Sequence, residues 1–205
     1  MASTFFLRSL ASTLGGAGQL TASQKRGGAS TTAITTTTAS GTNIPVTTSA
    51  GGQALTWFSE PMTAAVTISG SITVNIRGLE SATTVNSGRG ILIERTNTAG
   101  TVQSTIVAVT GVPSTITEFT TTDAANGAAT YTPTSTAMAI GERIKITLSI
   151  RNVGTMAAGT ATISYNGQAS ATTGDTYVTF TENILTDEQM DVPAYEIRGM
   201  NAYYG

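Results

Sequence analysis

Cysteine and histidine are both absent from the 205 residues. Without cysteine there is no disulfide framework, no thiolate nucleophile and no zinc–thiolate centre. Without histidine there is no Ser–His–Asp triad, and no imidazole to ligate a metal or shuttle a proton. Charge is scarce too. Charged residues are 11% of the chain, against about 25% in an average soluble domain. A net charge of −2 offers no electrostatic footprint to DNA or RNA. No apolar run approaches the roughly 18 residues that read as a membrane-spanning helix. Near the start, Phe5-Phe6-Leu7 is cut short by Arg8-Ser9. That is too brief for a secretory h-region, so synthesis in a cytoplasm without a cleaved leader is expected.

What the chain does have is threonine, roughly a fifth of all residues and far above average usage. Hydrophobic residues, at 40%, suffice for one core of ordinary size. Residues 1–52 form a zone of their own, with Leu14-Gly15-Gly16-Ala17-Gly18, Gly27-Gly28 and Thr35-Thr36-Thr37-Thr38. No hydrophobic period is sustained there, although Ser3–Leu14 could make a short helix, marginal alone, with Phe6, Leu10, Thr13 and Leu14 on one face. Such a segment cannot offset its backbone entropy alone. It is therefore expected to be an extended N-terminal arm docked on other chains. Phe5, Phe6, Leu7 and Leu10 would be its anchors, with strand addition near Thr31–Thr38.

From Gln53 the period becomes two. Val66, Ile68, Ile72, Val74 and Ile76 alternate with polar residues, as do Ile144, Ile146, Leu148 and Ile150. Ile91, Ile93 and Ile163 continue the inward set, with Tyr177 and Thr179 or their neighbours one residue along. Alternation of β-branched residues puts each set on one face of a strand. Strands are expected near 55–59, 64–69, 71–78, 89–96, 102–109, 115–122, 128–133, 142–151, 159–165 and 176–183. Turn signals such as Asn86-Ser87-Gly88, Ala99-Gly100, Gly141 and Asn166-Gly167 separate them. The count predicts an all-β fold, an antiparallel β-sandwich of jelly-roll type over 53–183, ahead of a closed barrel. Residues 184–205 lose the alternation and collect acids and tyrosines. They read equally as a C-terminal arm, with Tyr203 and Tyr204 as docking residues, or as a tail folded on its own subunit.

Chemistry-bearing groups are few. The twelve carboxylates sit mostly at strand ends and turns, among them Glu60, Glu80, Asp123 and Asp175. Asp187–Asp191 lacks the spacing and glycine of a calcium loop. Gly88-Arg89-Gly90 lacks the Gly-Lys-Ser/Thr ending of a phosphate loop. The one adjacent basic pair, Lys25-Arg26, is too little for nucleic acid. Trp57, beside Leu55 and Phe58, could stack on a sugar if exposed. Its apolar neighbours favour packing in a core or between subunits. An enzyme of the glycoside-cleaving type would need two carboxylates facing one another in a cleft. The inventory thus predicts no catalytic residue, no metal site and no cofactor.

Leu55–Met62 followed by Val66–Ser81, then Gly154–Gly159, Tyr165-Asn166-Gly167 and Gly174–Glu182, resembles a jelly-roll family found in the virions of tailed bacteriophages. Gln168 departs from the pattern, where proline would be expected. The resemblance covers about 53–183 and carries no catalytic residue. It implies a structural virion protein: a capsid cement or decoration protein on the head surface, bound to the major capsid protein as a homotrimer, with neither nucleic acid nor membrane as partner. The alternative is a carbohydrate-binding or host-recognition module of a phage tail.

Overall fold

The computed structural model describes residues 1–16, 19–24, 32–38, 43–45, 55–108, 118–152, 157–166 and 176–190. In chain order the strands are β1 (Ser3–Ala11), β2 (Gln19–Ser23), β3 (Thr32–Thr38), β4 (Asn43–Pro45), β5 (Thr56–Ser59), β6 (Val66–Ile68) and β7 (Ile72–Glu80). They continue as β8 (Ser87–Thr96), β9 (Val102–Val107), β10 (Ala124–Tyr131), β11 (Thr136–Met138), β12 (Arg143–Asn152), β13 (Gly159–Tyr165) and β14 (Tyr177–Phe180). A single turn of 3-10 helix, Asp187–Met190, follows. The fold is all-β, with no α-helix among the described residues. Of the expected run 115–122 only 118–122 is described, and it supplies an isolated bridge from Glu118 to Gly88.

Twelve strands make one sheet in the order β3-β13-β7-β14-β1-β2-β5-β12-β8-β9, with β10 beside β7 and β4 beside β12; β6 and β11 pair separately. Two long strands organise it. On one edge β7 runs along β10; on the other it meets β14 through Ile72–Asn75 and β13 through Arg77–Glu80. On one edge β12 pairs with β8 over ten residues; on the other it meets β5 and then β4. β1 joins the two halves, pairing with β14 from Ser3 to Phe6 and with β2 at Phe6, Leu7 and Ala11. The sheet therefore bends round one core and nearly closes. One pairing is parallel, β2 with β5, so the expectation of a wholly antiparallel arrangement is corrected here.

Ile68, Ile72, Val74, Ile76, Ile91, Ile93, Ile144, Ile146, Leu148, Ile150 and Ile163 are buried in that core as their spacing requires. Val66 is only partly covered. On β14 the register is displaced by one: Val178 and Phe180 point inward, Tyr177 and Thr179 outward. The other register would bury a threonine hydroxyl and expose a phenylalanine, because a slip of one residue exchanges the two faces. Gly100 and Gly141, at φ +82° and +85°, make the turns their positions announced.

The expected N-terminal arm does not survive. Residues 3–11, 19–23, 32–38 and 43–45 all pair with strands of their own chain. Phe5 and Leu7, expected as anchors on a partner, are buried in this chain's core, and Phe5 meets Phe180 edge-on at 5.8 Å. The short helix is replaced by β1. Ser3, Phe5 and Leu7 form an inward set alternating with Thr4, Phe6 and Arg8, a period hidden by three consecutive apolar residues. Thr32–Thr38 does form a strand, but its partner is β13. At the other end Ile184 and Thr186 are buried, and the Ile184 N–H donates to Ser3 Oγ at 2.8 Å. Residues 184–190 thus fold back on their own subunit. Tyr203 and Tyr204 lie outside the described residues, as do Lys25 and Arg26.

Candidate functional site

The carboxylates come first, because acid–base chemistry would need them. Glu142 is gripped by Arg95 through Nε at 2.8 Å and Nη2 at 2.7 Å, and accepts the Ala139 N–H. Its pKa is lowered. Desolvation opposes this, and the Arg95 hydrogen bonds, the Ala139 N–H and the Arg95 charge together outweigh it. Glu182 accepts the Ser69 and Gly70 N–H groups at 2.8 and 2.6 Å. It too is lowered: desolvation is overcome by these backbone donors and by Thr181. Glu94 pairs with Lys145 at 2.9 Å, Asp123 with Arg77 at 3.0 Å, and Glu60 with Arg143 at 3.4 Å. Each acid ties one strand or turn to another.

Glu80 is the exception in being wholly buried. It ends the inward row Ile72, Val74, Ile76, Gly78 of β7 and accepts the N–H and Oγ–H of Ser87 at 3.0 and 2.9 Å. By sequence it falls at a turn beyond a strand ending at 78; β7 instead runs on to Glu80 and carries it inward, which corrects that expectation. Glu118 stands in hydrogen-bonding contact with it, and the Glu118 pKa is raised, by desolvation first and then by the Glu80 charge and hydrogen bond. Two carboxyls this close leave no room for the sugar oxygen or water that must fit between them. Glycoside cleavage separates them by about 5–5.5 Å or 6.5–9.5 Å. Among the described residues, no three acids gather as a metal-binding group.

Trp57 is fully buried. Its Nε1–H donates to the Arg8 carbonyl at 3.0 Å, and its ring meets Tyr165 edge-on at 5.3 Å. Its burial leaves it no face for a sugar. Among the described residues, an aromatic pair left partly exposed lies elsewhere, on the outer side of β1, β14 and β7. There Phe6, one of two expected anchor residues left on the surface of β1, stands opposite Tyr177, with ring centres 6.1 Å apart and planes at 62°. Both rings are half-buried, and Leu10, four residues along β1, is 52% exposed. Tyr177 is opposite Asn75 on β7. In the next row Thr4, Thr179, Thr73 and Thr130 stand side by side across β1, β14, β7 and β10. The first two hydroxyls are hydrogen-bonded at 2.8 Å. The Arg77–Asp123 pair closes the patch along β7. The outward register of Tyr177, which spacing left open, and the inward placement of Phe5, expected on a partner chain, created this patch.

No protein-family model and no curated protein matches the chain. Solved structures do share its fold. A CocE/NonD family hydrolase from Staphylococcus aureus is similar at 8% identity and a TM-score of 0.50, over 91% of this chain and 36% of its own. An aminopeptidase from a marine sediment archaeon, Thaumarchaeota archaeon, is similar at 9% identity and a TM-score of 0.54, over 88% of this chain and 36% of its own. The chain thus spans about a third of the length of either enzyme. At such identities the likeness is one of fold.

Proposed function

We propose that the chain is a structural virion protein: a capsid cement or decoration protein of jelly-roll type that binds the major capsid protein as a homotrimer and stabilises the phage head. The resemblance over residues 53–183 suggests this role. The observation that supports it most is the use of the acids. Glu60, Glu94, Asp123, Glu142 and Glu182 are each engaged by a cation or by backbone donors of the same chain, and Glu80 by Ser87. Groups spent on cross-bracing suit a rigid body better than a catalyst. The tail-module alternative loses Trp57 as a sugar platform, since that ring is buried.

The test is on particles. The protein should be present in purified virions, remain with heads after tails are sheared off, and rebind stripped heads, raising the temperature at which they release DNA. Its absence from virions, or its recovery with tails alone, overturns the proposal.

A further inference from the structure

Phe6, Tyr177 and the threonine row form a surface of distinctive chemistry. We infer that this outer face of β1, β14, β7 and β10 binds a neutral polysaccharide, a single soluble chain lying against the Phe6–Tyr177 pair and along the hydroxyls of Thr4, Thr179, Thr73 and Thr130.

Three observations carry the inference, and none depends on the virion role. First, two aromatic rings remain half-exposed side by side, although the core next to them takes Phe5, Val178 and Phe180. Aromatic side chains offer large apolar area at small entropic cost, and tyrosine adds a polar tip. Sugar rings present the matching combination, an apolar C–H face edged by hydroxyls. Second, the four threonines are in register across four adjacent strands. The row is roughly 14 Å long at the usual strand spacing, enough for a short run of hexoses. Each hydroxyl can donate and accept, as sugar hydroxyls do. Third, the Arg77 cation is already neutralised by Asp123 at 3.0 Å. Arg8, two residues beyond Phe6 on β1, is half-buried and is the one cation on this face of β1. A strongly acidic ligand therefore finds little to attract it, and a neutral one meets hydroxyls and aromatic faces.

The 62° between the ring planes narrows the ligand further. Rings coplanar with the sheet would suit the flat face of a crystalline polysaccharide. Rings inclined to one another form an angle that takes one chain.

The test uses the full chain in affinity electrophoresis through gels containing dextran, mannan, laminarin or xylan as neutral probes and alginate as an acidic one. Retardation is expected in at least one neutral gel. Tyr177→Ala and Phe6→Ala should weaken it at least about tenfold, the loss of one stacking contact. Thr147→Ala, on a strand distant in the sheet order, should not. Thermal unfolding of each variant shows whether it is folded. Tyr177→Phe retains the ring without its hydroxyl and should keep most of the binding even if the alanine variants fall apart. Retardation in no neutral gel overturns the inference, as does binding to alginate alone or binding unchanged in folded Tyr177→Ala. Concentration-dependent self-association abolished by Tyr177→Ala would assign the face to a second copy of this chain and likewise overturn it.

Discussion

Glu142 holds both an arginine and a backbone amide, and its lowered pKa makes that grip depend on pH. A carboxyl whose folded value lies below its unfolded one contributes stability that is fully present above the unfolded value. That stability is lost as pH falls through the folded value. Glu182 behaves in the same direction. Thermal stability should therefore hold on the neutral side and start to fall as pH drops below about 4.3, the ordinary glutamate value. In Glu142→Gln the melting temperature should be lower than in the wild type near neutrality, and the gap should close in acid. A gap that is constant with pH would sever Glu142 from the acid response. Ile146 tests packing at the same scale. It is completely buried, so Ile146→Ala should cost about 2–5 kcal/mol, and a denaturant-unfolding difference below about 0.5 kcal/mol would contradict its place in the core. Ile146 was legible because apolar and polar residues alternate strictly around it. Tyr177 was not, since a tyrosine satisfies an inward or an outward position and only its competition with Val178 and Phe180 decides.

At the scale of elements, β1 holds the two halves of the sheet together. It pairs with β14 on one side and β2 on the other, and sends Phe5 and Leu7 into the core. Deleting residues 1–12 should abolish the cooperative thermal transition and the near-ultraviolet circular dichroism of the protein, not merely weaken its attachment to a partner. A truncated chain with a wild-type melting temperature would show that β1 is dispensable. Strands β7 and β12 could be read from the chain because apolar and polar residues alternate along them, and β8 and β13 because short runs rich in β-branched residues lie between turn signals. β1 and β4 could not, and β3 was legible as a strand near Thr31–Thr38 but not in its partner, β13. Their apolar residues are sparse or contiguous, and their stability comes from ladder bonds with strands more than a hundred residues away, which no local window contains. The paired acids Glu80 and Glu118 were not legible: the expected strand stops at residue 78, short of Glu80, and nothing local brings Glu118 to it.

For the whole molecule, the pairing of the first strand with the last governs when folding can finish. Ser3 is opposite Phe180, and β7 needs β14 to complete one of its edges. Folds dominated by such distant pairings are slow, on the order of milliseconds to seconds. Nascent chains halted on the ribosome with residue 170 as the last to emerge should remain sensitive to protease. Chains released past residue 190 should become resistant. Resistance in the shorter chains would mean that the sheet closes without β14.

The same pairing decides how the molecule meets a pull. β1 begins at Ser3 where β14 ends at Phe180, so a load between the two chain ends enters both strands at the same place. On the C-terminal side it must first free Asp187, Thr186 and Leu185 from Pro61, Met62 and Thr63, and Ile184 from Gln24 and Ser3 Oγ; it then takes the ladder one rung at a time. Hydrogen bonds taken in sequence yield at far lower force than bonds sheared together. Tugged by its ends, this sheet should peel open like a zip from Ser3 inward, whereas tension applied across β8 and β12, which lie side by side over ten residues, would have to slide the whole ladder at once.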